Sequence, residues 1–197
     1  MPGTADVAPV PVVAIVGSAG GIGALEPVLA VLPHDLPAAV VVVIHLSPTT
    51  PTLLPAILAR GTDLLVRPAE EGDVLARGLA FVAARNAHVL VGPDGRLHLE
   101  TSELVHHVRP SADVLLLSLA ANHRGACAAV ILSGSGTDGA AGAAAVKRAG
   151  GLVLAQDEET AEFFGMPGAA ILAGGVDRVL PLDGIAPAVI QWARRVQ

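Results

Sequence analysis

The chain alternates short runs of β-branched residues with stretches that are rich in Ala and Leu at helical spacing. The first run, VVAIVG (12–17), predicts a buried strand, and the stretch after it predicts a helix over about 21–32 that Pro33 ends. The run AAVVVVIHL (38–46) predicts a second strand, apolar on both faces like a central strand of a parallel sheet. This alternation is typical of βαβ units around such a sheet.

The second half of the chain follows the same pattern. Its first helix has a predicted N-cap at Ser111, directly after Pro110. The pattern predicts, in order, a helix within 109–123, a strand at 126–134, a helix within 137–151, strands at 152–157 and 176–181, and a last helix over about 183–196. The elements together predict a single α/β domain with a doubly wound, mainly parallel, Rossmann-like sheet and helices on both faces.

The middle of the chain has a different character. LAFVAA (79–84) and HVLVGPDGRLHLE (88–100) look like strands, and the second is folded into a hairpin at PDG, because Pro-Asp-Gly favours a tight turn. We interpret this section as an antiparallel addition to the parallel sheet.

Composition narrows the classes of function. The formal net charge of −6 provides no basic field for nucleic acid, and three Phe, one Trp and no Tyr leave little aromatic surface for stacking on bases. Cys127 is the only cysteine, which excludes an internal disulfide and a multi-cysteine zinc site. We therefore expect an acidic protein without a nucleic-acid partner.

The beginning of the chain bears on location. MPGTADVAPVPVV has no Lys or Arg before its apolar part and contains three prolines, so it lacks the charged region of a secretory signal. No stretch of about 20 residues runs without Gly, Pro or charge, as a membrane span would require. We expect a cytoplasmic protein with no membrane insertion.

The glycine-rich turn after the first strand, GSAGGIG, has two alternative functions. Its glycines would let the backbone approach a pyrophosphate, and the string is similar to the NAD(P) turn of short-chain dehydrogenases. Such a site needs an acidic residue near the end of the second strand, where His45 stands, and those enzymes use a Tyr that this chain lacks. Both absences weaken the hypothesis of an NAD(P)-binding oxidoreductase, and we expect no cofactor.

Three polar residues follow predicted strands and form the second alternative. Ser18 follows the first strand, His45 ends the second, and Asp138 lies in the glycine-rich loop after a later strand. Because the carboxyl ends of parallel strands meet at one edge, these residues are candidates for a nucleophile, a base and an orienting carboxylate. Plainer interpretations remain: a helix cap for Ser18 and for Asp138, and a buried core histidine for His45. Val16 stands where the G-x-S-x-G elbow needs glycine, which disfavours an ordinary α/β-hydrolase.

Two further segments carry polar residues. Adjacent His106 and His107 seldom converge on one ion, and no H-x-x-x-H or H-E-x-x-H spacing occurs, so we expect no metal site. The segment QDEETAEFFGMP (156–167) follows a strand edge, and it is either a strand-to-helix loop with two core phenylalanines or part of the crevice lining.

Seven ordered motifs give residues 12 to 190 a resemblance to the catalytic domain of the chemotaxis protein-glutamate methylesterases (CheB-type). The motifs are VGSAGGIGAL, VVVIHLSP, ARNAHVLVGPDGRLHL, RPSADVLLLSLA, ILSGSGTDGAAG, AQDEETAEFFGMPGAAI and VDRVLPLDGIA. The resemblance implies that Ser18 is the nucleophile, His45 the general base and Asp138 its orienting carboxylate. It also implies hydrolysis of glutamate methyl esters on chemoreceptor-type proteins through an acyl-enzyme, and deamidation of receptor glutamine by the same chemistry. Backbone N–H groups around 17–21 and 134–139 would form the oxyanion hole.

The chain departs from the usual family pattern at two positions, with Ala19 in place of Thr and Ser135 in place of Met. If these substitutions disable turnover, the alternative is a non-catalytic module that binds a receptor or partner in the same crevice. The family commonly has an N-terminal receiver domain, but in this sequence only 11 residues precede the first predicted strand. We therefore expect residues 1–11 to be a flexible segment and 12–197 a free-standing methylesterase-like catalytic domain. The expected partners are methylated chemoreceptor helices and a separate regulatory or receiver protein.

Overall fold

A computed structural model of the protein describes residues 10–45 and 53–196. Most of the predicted N-terminal segment, residues 1–9, lies outside the described residues, as do 46–52 and 197. The strands in chain order are β1 (Val12–Gly17), β2 (Ala39–Ile44), β3 (Leu65–Pro68), β4 (Leu79–Val82), β5 (His88–Val91), β6 (Leu97–Glu100), β7 (Cys127–Ile131), β8 (Leu152–Gln156) and β9 (Arg178–Leu180). The helices are α1 (Gly21–Val31), α2 (Leu54–Leu58), α3 (Ala112–Asn122), α4 (Ala140–Arg148), α5 (Gly165–Leu172) and α6 (Leu182–Ala193).

Seven strands form one sheet in the order β3-β4-β2-β1-β7-β8-β9, and every pair in it is parallel. Strands β5 and β6 form a separate antiparallel hairpin that packs against α3. The doubly wound α/β fold predicted from the sequence is confirmed. The middle section is not antiparallel throughout, however, because β4 joins the parallel sheet and only the hairpin is antiparallel.

The core lies on both faces of the sheet. Alternate residues of β1 point to opposite sides, so Val12, Ala14 and Val16 pack on one face, while Val13 and Ile15 pack on the other. Helices α3, α4 and α5 and the hairpin cover the first face, and α1 and α6 cover the second. Burial on both faces explains why the central strands read as continuous apolar runs.

Strand β1 lies between β2 and β7, and this position fixes where a ligand can bind. From β1 the chain passes through α1 to β2 on one side, whereas from β7 it passes through α4 to β8 on the other. The order of strands therefore reverses beside β1, and in open α/β sheets ligands bind outside the carboxyl ends of the strands at such a point. Among the described residues, no helix is long and apolar enough to cross a membrane.

Candidate active site

Ser18 occupies the turn between β1 and α1. Its amide donates to the carbonyl of Ser133, N–O distance 3.0 Å, and its carbonyl accepts from the amide of Gly21 at 2.8 Å. Gly20, with φ of 71°, is the N-cap of α1, and no side chain caps that helix. The hydroxyl of Ser18 therefore does not serve the helix as a cap, in contrast to the plainer interpretation of this residue.

His45 lies beside Ser18 because of the parallel register of β1 and β2. Gly17 pairs with Ile44, so the residues that follow them occupy adjacent positions at the sheet edge, and the amide of His45 donates to the carbonyl of Gly17 at 3.1 Å. The side chain of His45 is 11% exposed. In the described part of the chain, its ring is hydrogen-bonded to Asp138 and not to the hydroxyl of Ser18.

Asp138 binds His45 and the start of α3. Its Oδ2 lies 2.9 Å from Nε2 of His45 and accepts from the amide of Ala112 at 2.6 Å. Its Oδ1 accepts from the hydroxyl of Ser111 at 2.8 Å and from the amide of Asp113 at 3.0 Å. Asp138 therefore caps α3, a helix distant in sequence, whereas the N-cap of the helix that follows it is Gly139.

These donors determine the charge of the Asp138 carboxyl. Burial by itself raises the pKa of Asp138, but hydrogen bonds from His45, from the amides of Asp113 and Ala112, and from Ser111 hold it below its ordinary value. The carboxyl is 3% exposed and ionised at neutral pH. An ionised Asp138 accepts a hydrogen from Nε2 of His45, which leaves Nδ1 of that ring as the basic atom.

The loop after β7 packs closely against Ser18. A Cβ placed on Gly134 would lie 3.0 Å from the Cβ of Ser18 and would overlap the sulfur of Met166, so a larger residue here would require the Met166 side chain to move. The hydroxyl of Ser133 donates to the carbonyl of Ala19 at 2.8 Å and accepts from the amide of Phe163 at 3.0 Å. Segment 156–167 thus packs on the loop after β7 next to Ser18, and Phe163 is exposed and not one of the two core phenylalanines that the sequence offered as an alternative.

A cleft of about 340 Å³ opens beside His45. Its lining includes Asn86, His107 and Arg109, and the first two have positive φ angles of 60° and 64°. The Arg109 guanidinium donates to Oδ1 of Asn86 at 2.6 Å and to the carbonyl of Thr101 at 2.9 Å. Asn86 and Arg109 were not predicted from the sequence, and His107 was considered there only as a metal ligand. The only signal for Asn86 and Arg109 is that each lies in one of the family motifs.

One further cluster of possible metal ligands lies next to the site. Ligand atoms of His106, Asp113 and Asp138 lie within 4.8 Å of one another. Asp113 accepts from Nε2 of His106 at 3.0 Å and from the amide of Gly142 at 2.7 Å. N–H donors already point at both carboxylates, and they would repel a cation from the same oxygens. We therefore describe the cluster as a hydrogen-bonded junction between α3 and α4.

Fold and site together define the class of the protein: a doubly wound α/β protein whose crevice at the switch point brings together a serine, a histidine and a buried ionised carboxylate. The sequence model described as CheB methylesterase matches residues 13–189. The chain belongs to the CheB methylesterase family.

Individual relatives agree with this membership. The chain is 39% identical over 184 residues to protein-glutamate methylesterase FrzG of Myxococcus xanthus, covering 93% of the chain and 55% of the relative. It is 42% identical over 187 residues to a protein-glutamate methylesterase/protein-glutamine glutaminase of Moorella thermoacetica, covering 91% and 43%. The chain thus spans about half the length of these curated relatives.

A solved structure extends the similarity to three dimensions. The crystal structure of the Thermotoga maritima CheB methylesterase catalytic domain superimposes with a TM-score of 0.88 at 35% identity. The match covers 92% of this chain and 97% of that domain. The similarity in fold thus extends over nearly all of that catalytic domain.

Proposed function

We propose that the protein is a serine esterase that hydrolyses glutamate methyl esters on chemoreceptor-type proteins to glutamate and methanol. Family membership supports the activity, and the single observation that carries the mechanism is the 2.9 Å contact between His45 and Asp138 beside Ser18. The catalytic residues of this proposal are Ser18 as nucleophile, His45 as general base and Asp138 as the carboxylate that orients the base.

The proposed reaction uses His45 twice. Nδ1 of His45 takes the proton of Ser18 as Oγ attacks the ester carbonyl, and the resulting imidazolium is stabilised by Asp138. His45 then gives this proton to the departing methoxide, which leaves as methanol. The acyl group stays on Ser18 as an acyl-enzyme. His45 next takes a proton from a water molecule as that water attacks the acyl-enzyme. It returns the proton to Oγ of Ser18 as the glutamate product departs. With glutamine the leaving group is ammonia, so deamidation follows the same steps.

The oxyanion of the tetrahedral intermediate needs N–H donors that are not already engaged. The amides of Ser18, Gly21 and Gly134 are engaged, since they donate to carbonyls of Ser133, Ser18 and Phe163. Ala19 and Gly20 are the central residues of the turn closed by the Gly21 amide, and within the described residues their amides donate to no backbone acceptor. We assign the oxyanion contact to these two amides.

The setting of the reaction follows from the same proposal. Residues 12–197 are the catalytic domain, the substrate is a methylated receptor helix in the cytoplasm, and a separate regulatory or receiver protein controls access to the crevice. A binding module without turnover is the second candidate, and Ala19 and Ser135 are the substitutions that favour it. The side chain of Ala19 takes no part in the oxyanion contact assigned above, because that contact is made by the backbone.

Labelling with a serine-directed phosphonate separates these candidates. An activated Ser18 is expected to be modified once per chain, and mass spectrometry of the digested protein locates the adduct. Ser18→Ala should abolish labelling, whereas the exposed Ser102→Ala should leave it unchanged. A wild-type protein that binds receptor helices tightly but takes no label would favour the binding module instead.

A further inference from the structure

We infer that Ser111 is a positioning residue for the proposed reaction, and that it acts by holding Asp138 in the orientation that binds His45. The inference rests on the proposed esterase function. Ser111 is completely buried, so it does not contact substrate. Its effect must therefore pass through Asp138.

The hydroxyl of Ser111 has a fixed direction. Its Oγ accepts from the amide of Val114 at 3.4 Å, which is the contact of an N-cap in the first turn of α3. Its hydrogen is thereby free to donate to Oδ1 of Asp138, 2.8 Å away. One side chain thus caps the helix and binds the carboxylate at the same time.

The backbone of Ser111 is itself held by the hairpin. Its amide donates to Nδ1 of His88, the first residue of β5, at 3.1 Å. An acceptor Nδ1 places the ring hydrogen of His88 on Nε2, which donates to the carbonyl of Glu103 at 3.0 Å. His88 is completely buried. A continuous chain of hydrogen bonds therefore runs from the hairpin through Ser111 and Asp138 to His45.

Four donors fill the four lone-pair positions of the Asp138 carboxylate. Without the Ser111 hydroxyl, Oδ1 keeps only the amide of Asp113, so the carboxylate gains freedom to turn. The hydrogen bond between Nε2 of His45 and Oδ2 then loses its fixed geometry, and the base is less well oriented toward Ser18. The other titratable groups near Asp138 are Asp113 and His106, which bind each other and would be unchanged.

The test compares Ser111→Ala with Ser118→Ala, a matched control on the same helix. The hydroxyl of Ser118 donates to the carbonyl of Leu115 and accepts from the amide of Val91, with no contact to the site. For Ser111→Ala we expect kcat for methanol release from methylated receptor to fall about 10-fold with KM unchanged, because one hydrogen bond to a charged group is lost. Proton NMR should show the ring N–H of His45 that binds Asp138 exchanging faster with water than in the wild type, because its acceptor is less firmly held. Ser118→Ala should match the wild type in both.

Further variants keep the result decisive. Ser111→Thr retains the hydroxyl and should restore the wild-type kcat and the wild-type exchange of the His45 ring proton. Ser111→Cys, a weak donor of similar size, replaces Ser111→Ala if that variant does not fold. The inference is overturned if Ser111→Ala loses only stability, as Ser118→Ala does, with kcat and the exchange of the His45 ring proton unchanged. A wild-type protein without turnover would instead overturn the proposed function, and the exchange measurement would still decide the role of Ser111.

Discussion

At the scale of single residues, the site depends on contacts between side chains that lie far apart in the sequence. Ser18, His45 and Asp138 each lie at or just after the end of a predicted strand, and the structure places all three at the same edge of the sheet. The contact between Ser111 and Asp138 joins residues 27 positions apart. It depends on how the N-terminus of α3 approaches the loop after β7, which no local pattern reveals.

Asp138→Asn tests the orienting carboxylate. An amide cannot accept all four hydrogen bonds and presents an N–H group to donors, so we expect kcat for methanol release to fall about 10³–10⁴-fold. The free energy of unfolding should fall by about 1–3 kcal/mol, as measured by urea denaturation. Asp113→Asn is the control, because Asp113 is similarly buried but does not contact His45. Equal losses of kcat in both variants would contradict the assigned role.

His123 makes stability depend on pH. Burial lowers the pKa of His123, which is 2% exposed and whose Nδ1 has no hydrogen-bond partner in the described part of the chain. The unfolded chain then takes up this proton near pH 6.5, before the folded protein does, so stability is lost as pH falls below about 6.5. His123→Leu should reduce this loss between pH 7 and 5 in urea denaturation, whereas exposed His34→Leu should not. An unchanged slope in the first variant would refute this prediction.

At the scale of elements, the hydrophobic pattern predicts the strands and helices that have a continuous buried face, and it misses those that have none. Strand β1 and the hairpin were predicted to within a residue or two. Strand β3 was missed because it is a mostly exposed edge strand that contains Arg67 and Pro68. Helix α5 was foreseen only as the helix that would follow a strand-to-helix loop at 156–167, without bounds, because two glycines and a proline lie within its eight residues and hide the helical pattern.

Helix α4 packs so closely on α3 that one of its positions requires glycine. A Cβ on Gly142 would overlap the Cβ of Leu116, so Gly142→Ala should lower the free energy of unfolding by about 1–3 kcal/mol. Gly23 in α1 is exposed, and no atom lies within 4 Å of the position that a Cβ would take there, so Gly23→Ala should instead stabilise the protein by about 0.5–1 kcal/mol. Urea denaturation of both variants measures the contrast. The same sign of change in both would be inconsistent with this packing.

At the scale of the whole molecule, the doubly wound sheet explains why glycine-rich loops surround the site. Three of its strands end at the crevice, and the turn after β1 and the loop after β7 must pass close to each other there. The fold class was fully predictable, because alternating elements allow few other arrangements. The side chains that line the cleft were not, since their placement depends on loops that only the tertiary structure brings to His45.

We propose Ser18 as the nucleophile of a methylesterase, and methanol release from a methylated chemoreceptor tests this role most directly. The wild-type protein should release methanol, and Ser18→Ala should reduce the rate by at least about 10³-fold while keeping the wild-type unfolding midpoint. Ser102→Ala, a serine exposed on the surface, should retain the wild-type rate. A near wild-type rate from Ser18→Ala would contradict the account.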